Sequence, residues 1–345
     1  MKNKNIVGIV LLVLILVIAL VIGQYKDSNN IKNTKKTAEE YNQILDEEKK
    51  VKEENDKRIK DSLPRVLCWG DSLTAGVGGN GVNYPDVLSN LSGLSVMNYG
   101  VGGETTNLIS MRQGSTPFYT NSFVIPSKKE SVKISIIDSN GNDIKFKKNL
   151  GINPVTINGV QGNIQINKDS NEYYFTRITE GDETIVNDNT QIMTNSMQDK
   201  KENDILIIFT GTNDKPDTTT IQDVINIQKN MINNANTDRY IIIGLTSKNY
   251  MPQVAEVNQI LAQEYGEHFI DIRTYILEHG LEDAEIKATE QDSSDIQNGE
   301  IPSSLRSDEV HGTSKFYTII GKQVFNKILE LGYLNDEQKE YLGIK

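Results

Sequence analysis

Cysteine is nearly missing from this chain: Cys68 is the single one in 345 residues. That excludes an intramolecular disulfide framework, and it leaves no lipid-attachment cysteine behind the apolar N-terminal run. Positive charge is short as well. Lys and Arg number 36 against 47 Asp and Glu, for a formal net charge of −11. Setting aside Lys2 and Lys4 leaves 34 against 47, or −13. The basic footprint of a nucleic-acid-binding surface is absent, so nucleic acid is excluded as a partner. The same acidity disfavours a polyanionic substrate, because like charges repel. Histidine is scarce too, with three residues, His268, His279 and His311. Glycine does not occur between Gln24 and Pro64.

What stands in the glycine-free stretch and before it is strongly patterned. Residues 6–23 carry no charge and almost no polarity, a length that spans a bilayer. Val21-Ile22-Gly23 is a poor signal-peptidase site, so the run reads as an uncleaved anchor, with secretion after cleavage as the alternative. The lysine balance across the run is weak evidence on orientation. A short N-terminus ahead of a large C-terminal part points to N-inside, C-outside, which places the rest of the chain outside the cell. Residues 27–62 are charge-dense, as in Glu47-Glu48-Lys49-Lys50-Val51-Lys52-Glu53-Glu54, and their apolar residues are too sparse for a coiled-coil seam. A solvated helical stalk and a disordered linker both fit.

Chemistry-bearing residues gather at strand ends. Arg65-Val66-Leu67-Cys68-Trp69 reads as a buried strand and runs into Gly70-Asp71-Ser72-Leu73-Thr74. A serine where a strand turns toward a helix sits where open α/β sheets bind ligands, and its own N–H can face an oxyanion. Asp71 and Ser72 could equally be a capping turn. A second strand-like run, 94–97, leads into Asn98-Tyr99-Gly100-Val101-Gly102-Gly103-Glu104-Thr105. The buried run Ile205-Leu206-Ile207-Ile208-Phe209 leads into Gly211-Thr212-Asn213-Asp214, where the Asn213 amide can donate to an oxyanion. Asp308-Glu309-Val310-His311 precedes a helical stretch over 314–331. An aspartate three residues before a histidine can hold the imidazole in the tautomer that leaves Nε2 free as a base. Each cluster alone could be a plain turn or cap. Together they supply a nucleophile, a base, an orienting carboxylate and oxyanion donors. His279 reads as a helix C-terminal residue capped by Gly280, and His268 as structural, which leaves His311 as the base for Ser72.

These four blocks resemble the SGNH (GDSL-type) hydrolase superfamily. The resemblance covers residues 65–112 and 203–331. It implies Ser72 as nucleophile, the Ser72 and Gly103 N–H groups and the Asn213 amide as oxyanion donors, and Asp308 and His311 as the remaining catalytic pair. Asp71, Gly100 and Asp214 are expected to support them. The Gly-x-Ser-x-Gly elbow of the α/β-hydrolases is absent, since Leu73-Thr74 follows Ser72. Gly312-Thr313 after the histidine departs from the commoner family pattern without a mechanistic consequence. The chemistry implied is ester hydrolysis through an acyl-enzyme, with neither metal nor organic cofactor. The acidic stretch 290–295 lacks calcium-loop spacing and reads as a solvated loop.

About ninety residues separate Gln113 from Asn203, more than a compact member of the family needs. They hold short alternating runs at 131–137, 144–147, 155–157, 162–166, 173–176 and 184–186, with hairpin turns at Asp138-Ser139-Asn140-Gly141 and Asn158-Gly159. This predicts an inserted antiparallel β-domain at the rim of the site. Tyr173, Tyr174 and Phe175 either stack on a glycan or fill the insert's own core. Helices over 221–234 and 252–263 alternate with strands over 240–245 and 269–271, and residues 335–345 pack as a short helix or fray. The fold predicted is α/β, a doubly wound parallel sheet of the flavodoxin-like SGNH type. Residues 1–25 form the anchor, 26–63 the stalk or linker, 64–114 and 201–345 the hydrolase domain, and 115–200 the insert. The expected activity is removal of O-acyl groups, acetyl first, from a cell-wall or exported polysaccharide. The alternatives are a lipid- or thioester-directed esterase (lysophospholipase) and a glycan O-acetyltransferase. The expected partners are an acylated carbohydrate or other ester, and the membrane through the N-terminal helix.

Overall fold

The computed structural model describes residues 16–17, 31–167 and 169–344. The predicted anchor at 6–23 lies outside the described residues except for Leu16 and Val17. Among the described residues no helix is long and apolar enough to cross a membrane. The charged stretch is helical, α1 (Ile31–Ser62). Tyr41, Leu45 and Val51 on it are exposed, and Ile59 near its end is buried. Residues up to Asp61 form one compact unit and Ser62–Lys345 a second, so the β-insert and the parallel sheet share a unit.

The second unit opens with β1 (Arg65–Gly70), the single turn α2 (Ser72–Ala75), α3 (Tyr84–Ser92), β2 (Ser95–Gly100) and α4 (Thr106–Gln113). The insert follows with β3 (Tyr119–Thr120), β4 (Phe123–Ile125), β5 (Val132–Ile134), β6 (Val155–Ile157), β7 (Val160–Asn167), β8 (Glu172–Arg177), β9 (Thr184–Val186), β10 (Thr190–Met193) and the turn α5 (Asn195–Gln198). The chain then runs β11 (Ile205–Phe209), α6 (Ile221–Ala235), β12 (Tyr240–Ile243), α7 (Val254–Tyr265), β13 (Phe269–Ile270), α8 (Ile272–Asp283), α9 (Glu290–Gln297), α10 (Ser314–Glu330) and α11 (Asp336–Leu342).

Five parallel strands pair in the order β2-β1-β11-β12-β13, the doubly wound order in which the chain reverses direction between β1 and β11. β11 is buried at every position because helices cover both faces. Alternate residues serve the two layers. Val66, Cys68, Ile207 and Phe209 pack with Tyr84, Leu88, Phe316, Tyr317 and Val324 of α3 and α10. Leu206, Ile208 and Ile242 pack with Ile221, Val224, Ile225, Val254 and Leu261 of α6 and α7. The carboxyl ends of β1 and β11 therefore open side by side at the reversal point, where such sheets place ligands.

The insert is a six-stranded antiparallel sheet, ordered β3-β10-β6-β7-β8-β5, beside a two-stranded ribbon of β4 and β9. Asn158 and Gly159 both take positive φ, 46° and 80°, and make the tight turn between β6 and β7. Residues 144–147 do not form a strand. Ile144 and Phe146 are buried, and the Ile144 N–H donates to the Ile136 carbonyl at the foot of a short hairpin. The aromatics resolve toward the insert's core. Phe175 is fully buried, and buried Tyr173 accepts the Phe146 N–H at its hydroxyl, 2.7 Å away. Tyr174 is half-buried and donates to Glu172. The side chains of residues 173 and 175 point inward because strand alternation puts both on one face, so they do not make a stacking platform.

Two further expectations change. The stretch 290–295 is not a solvated loop: it begins α9, with a capping box between Thr289 and Asp292 and with Asp292 and Asp295 buried. Gly280 does not cap a helix after His279, because α8 continues to Asp283. A Cβ there would stand 2.9 Å from Leu305 Cδ1, so the glycine is a close-packing position inside the helix.

Candidate active site

Gly70 ends β1 and the chain turns at once into α2. Asp71 caps that turn, its Oδ1 accepting the Leu73 N–H at 2.9 Å, and the Asp71 carbonyl accepts from Ala75. Ser72 is thus fixed at the first helical position, with 7% of its surface exposed. Behind it the Tyr317 hydroxyl of α10 donates to the Val77 carbonyl, 2.5 Å away, and ties the far end of the turn to the opposite helix layer.

His311 comes from a tight loop between Arg306 and Gly312, which bridge one another, with the Ser307 N–H donating to the His311 carbonyl. Asp308 builds both the loop and the ring orientation. Its Oδ1 accepts the Val310 and His311 N–H groups at 2.8 and 2.7 Å, and its Oδ2 faces His311 Nδ1 at 2.7 Å. With Nδ1–H donating to this carboxylate, Nε2 is left as an acceptor. Nε2 lies 2.9 Å from Ser72 Oγ. Partial burial pushes the Asp308 carboxyl up, but the donors from His311 and Val310 outweigh it, and the net shift is downward. This is the geometry of a serine hydrolase.

Asn213 and Asp214, at the end of β11, hold the glycine loop that follows β2. Asp214 Oδ2 accepts the Thr106 N–H and hydroxyl at 2.9 and 2.8 Å, at the start of α4. Asn213 Nδ2 donates to the Glu104 carbonyl at 2.9 Å, and lies 3.4 Å from Asp71 Oδ2. The first bond fixes the amide plane. The second is long and weak, so that hydrogen is the one an oxyanion can take. Gly102 adjoins Ser72, since a Cβ there would stand 3.6 Å from Ser72 Cβ. Gly103 takes φ +79° in open space, a backbone state that glycine adopts without strain. Gly100 is different. Its N–H donates to Asn98 Oδ1, and a Cβ would stand 2.2 Å from Ala75 N. It is the close-approach residue that lets β2 lie against the Ser72 turn, not an oxyanion donor. Asp71 is fully buried, which pushes its carboxyl up to about 7 against the pull of the Leu73 N–H. Among the described residues no cluster of three or more His, Cys, Asp or Glu is arranged to hold a metal ion.

No family model and no curated protein matches the chain. Solved structures do. A member of the lipolytic G-D-S-L family from Veillonella parvula aligns at 14% identity and TM-score 0.41, over 78% of this chain and 98% of its own. A lipolytic G-D-S-L protein from Desulfitobacterium hafniense aligns at 14% and 0.41, over 77% and 99%. A mutant of the esterase AlinE4 aligns at 14% and 0.33, over 78% and 96%. The chain is similar to GDSL-type lipolytic proteins and esterases. The chemistry rests on the geometry of Ser72, His311 and Asp308.

Four residues that support this site were not read as such from the sequence. Glu104 and Arg112 form a fully buried ion pair under the glycine loop, Nε to Oε2 at 2.6 Å. Asp292 and Asp295 of α9 hold the segment that leads to Asp308. Asp292 accepts the Ser304 N–H and hydroxyl, both at 2.8 Å, and Asp295 accepts the Ser303 N–H at 2.8 Å and Arg306 Nη2 at 3.0 Å. Capping-box spacing between Thr289 and Asp292 was a readable sign of the helix, though not of its burial. His268 stacks on Tyr240 and bonds it and Tyr333, a structural role, and half-exposed His279 lies on α8 beside Glu278.

Proposed function

We propose that this chain is a serine ester hydrolase that removes O-acyl groups, acetyl first, from a cell-wall or exported polysaccharide. The observation that carries the reading is the continuous contact from Asp308 Oδ2 through His311 to Ser72 Oγ, at 2.7 and 2.9 Å. His311 Nε2 takes the Ser72 proton as Oγ attacks the ester carbonyl. The oxyanion is received by the Ser72 and Gly103 N–H groups and by the second hydrogen of the Asn213 amide. His311 then protonates the leaving alcohol, and water repeats the cycle on the acyl-enzyme.

The polysaccharide part of the proposal rests on setting. The rim around Ser72 is open, with Gly102, Gly103, Asp308 and Glu309 exposed. The net charge of −11 favours a neutral, esterified chain over a polyanion. The apolar run at 6–23 and the solvated helix α1 would hold the site outside the cell and clear of the bilayer. The full chain, purified in detergent, is assayed on p-nitrophenyl acetate, on longer acyl esters and on acetylated glycans for acetate release. Acetate release and a preference for short acyl groups are expected. A preference for long chains overturns the carbohydrate substrate, and turnover surviving in Ser72→Ala overturns the mechanism.

A further inference from the structure

Beneath the oxyanion donor lies a buried chain of contacts that reaches the β-insert. The Asn213 amide donates to the Glu104 backbone carbonyl at 2.9 Å. The Glu104 carboxylate receives Arg112 Nε at 2.6 Å, and both side chains are completely buried. The other two guanidinium nitrogens are spent on backbone. Nη1 donates to the Leu150 carbonyl of the insert at 2.9 Å, and Nη2 donates to the Tyr99 carbonyl at the end of β2 at 3.0 Å. The guanidinium also lies over the Trp69 ring, 5.3 Å from its centroid, and Trp69 stacks on Tyr99.

We propose that Arg112 is a positioning residue that sets the Asn213 oxyanion donor through Glu104, and that the insert is wired into catalysis through the Leu150 carbonyl. Burying both charges is expensive, and burial pushes the Glu104 carboxyl up and the Arg112 guanidinium down. A hydrophobic pair of equal volume would hold the two layers together without that cost. What a hydrophobic pair cannot do is fix the plane of the 104 carbonyl, which is the group that orients Asn213. The planar fork supplies three directed bonds from one side chain, to the glycine loop, to β2 and to the insert. The insert is thereby tied to the positioning of the Asn213 amide through the Leu150 carbonyl.

This rests on the hydrolase reading, and its test separates the two. Arg112→Lys keeps the charge for Glu104 but cannot reach both carbonyls. It is made in the full chain alone and together with Asn213→Ala, and kcat and KM are measured on p-nitrophenyl acetate beside the thermal melt. The rate of Ser72 modification by a fluorophosphonate is followed by mass. Expected is a fall in kcat of about 10- to 100-fold with KM nearly unchanged, and no further fall when Arg112→Lys is added to Asn213→Ala, since the two act as one unit. If Arg112→Lys does not fold, the neutral pair Glu104→Gln with Arg112→Gln replaces it, under the same expectations. Additive losses in the cycle, or an unchanged kcat in a folded variant, overturn the positioning role. A wild-type chain that fluorophosphonate does not label overturns the hydrolase reading itself, whereas equal labelling of wild type and variant overturns this inference alone.

Discussion

His311 Nε2 and Ser72 Oγ lie 2.9 Å apart although 239 positions separate them in the chain. The sheet makes that contact. β1 delivers Ser72 to its carboxyl end, α10 packs back over the same layer, and the loop ahead of α10 hangs His311 over the crevice. Both layers of the contact are pinned, by the Asp71 cap on one side and the Asp308 carboxylate on the other.

Replacing Asp308 by Asn is expected to keep the loop and lose the rate. Asn Oδ1 can still accept the Val310 and His311 N–H groups, but its Nδ2 opposes Nδ1–H and favours the wrong tautomer. A fall in kcat of roughly 100- to 10,000-fold is expected with the thermal melt little changed. A variant within a few-fold of wild type means that Asp308 only shapes the loop.

Asn213→Ala removes the amide proposed to face the oxyanion and frees the Glu104 carbonyl. Loss of such a donor costs about 100- to 1,000-fold in kcat. Steady-state kinetics on p-nitrophenyl acetate measure it, with KM expected to move much less than kcat.

The two glycines of the second block should fail in different ways. Gly100→Ala puts a Cβ 2.2 Å from the Ala75 nitrogen, backbone that cannot step aside, so a loss of roughly 3 kcal/mol and a lowered Tm are expected. Gly103→Ala meets no atom within 4 Å and pays only for φ +79°, about 1 kcal/mol. Its effect should be on kcat, through the aim of the N–H at residue 103. A Gly103→Ala variant that melts far below wild type but turns over normally contradicts that assignment.

Asp71 sets an alkaline trend in stability. Its carboxyl is raised from 3.8 to about 7 by burial, so the folded state holds a proton the unfolded chain has released. The stability it contributes is full below pH 4, falls as pH rises toward 7, and is flat above. Asp71→Asn should melt at a temperature less dependent on pH between 4 and 7 than wild type. Parallel melting curves for the two proteins refute it.

Asp292 acts with the opposite sign. Burial opposes its charge, but the donors from Ser304 and Thr289 outweigh that and lower the carboxyl from 3.8 to about 2. The stability it contributes is present above pH 4 and is lost as pH falls toward 2. Asp292→Asn should flatten the acid limb of the melting profile, and kcat should fall as the 303–306 segment that carries Asp308 loosens. An unaltered acid limb removes Asp292 from this role.

The strand at 205–209, the start of α6 at Ile221 and the insert strands at 155–157 and 184–186 were legible because periodicity and turn chemistry are local. The strands β3, β4 and β10 were not, since their pairing partners β10, β9 and β6 are distant in the chain and no hairpin turn marks them. The helix boundary at Gly280 was misread because glycine after histidine is ordinarily a cap, and nothing in sequence shows Leu305 pressing on it. The acidic stretch of α9 was misread for the same reason. Asp292 and Asp295 look like solvent-facing charge until Ser303, Ser304 and Arg306 are folded onto them, eight to twelve positions further on.

The sequence by itself determined which residues could do chemistry here. Ser72, Asn213 and His311 each stand beside a strand end or a helix start, and residue type and local spacing suffice to name them. Only the tertiary structure decided that they meet, which of the glycines faces solvent and which takes the close approach, and that Glu104 and Arg112 lie beneath them. Those are matters of packing between segments that only the fold brings together, Gly100 against Ala75 and Ser72 against His311 among them, and of directed hydrogen bonds whose partners are backbone carbonyls, identical in every residue and therefore silent in the sequence.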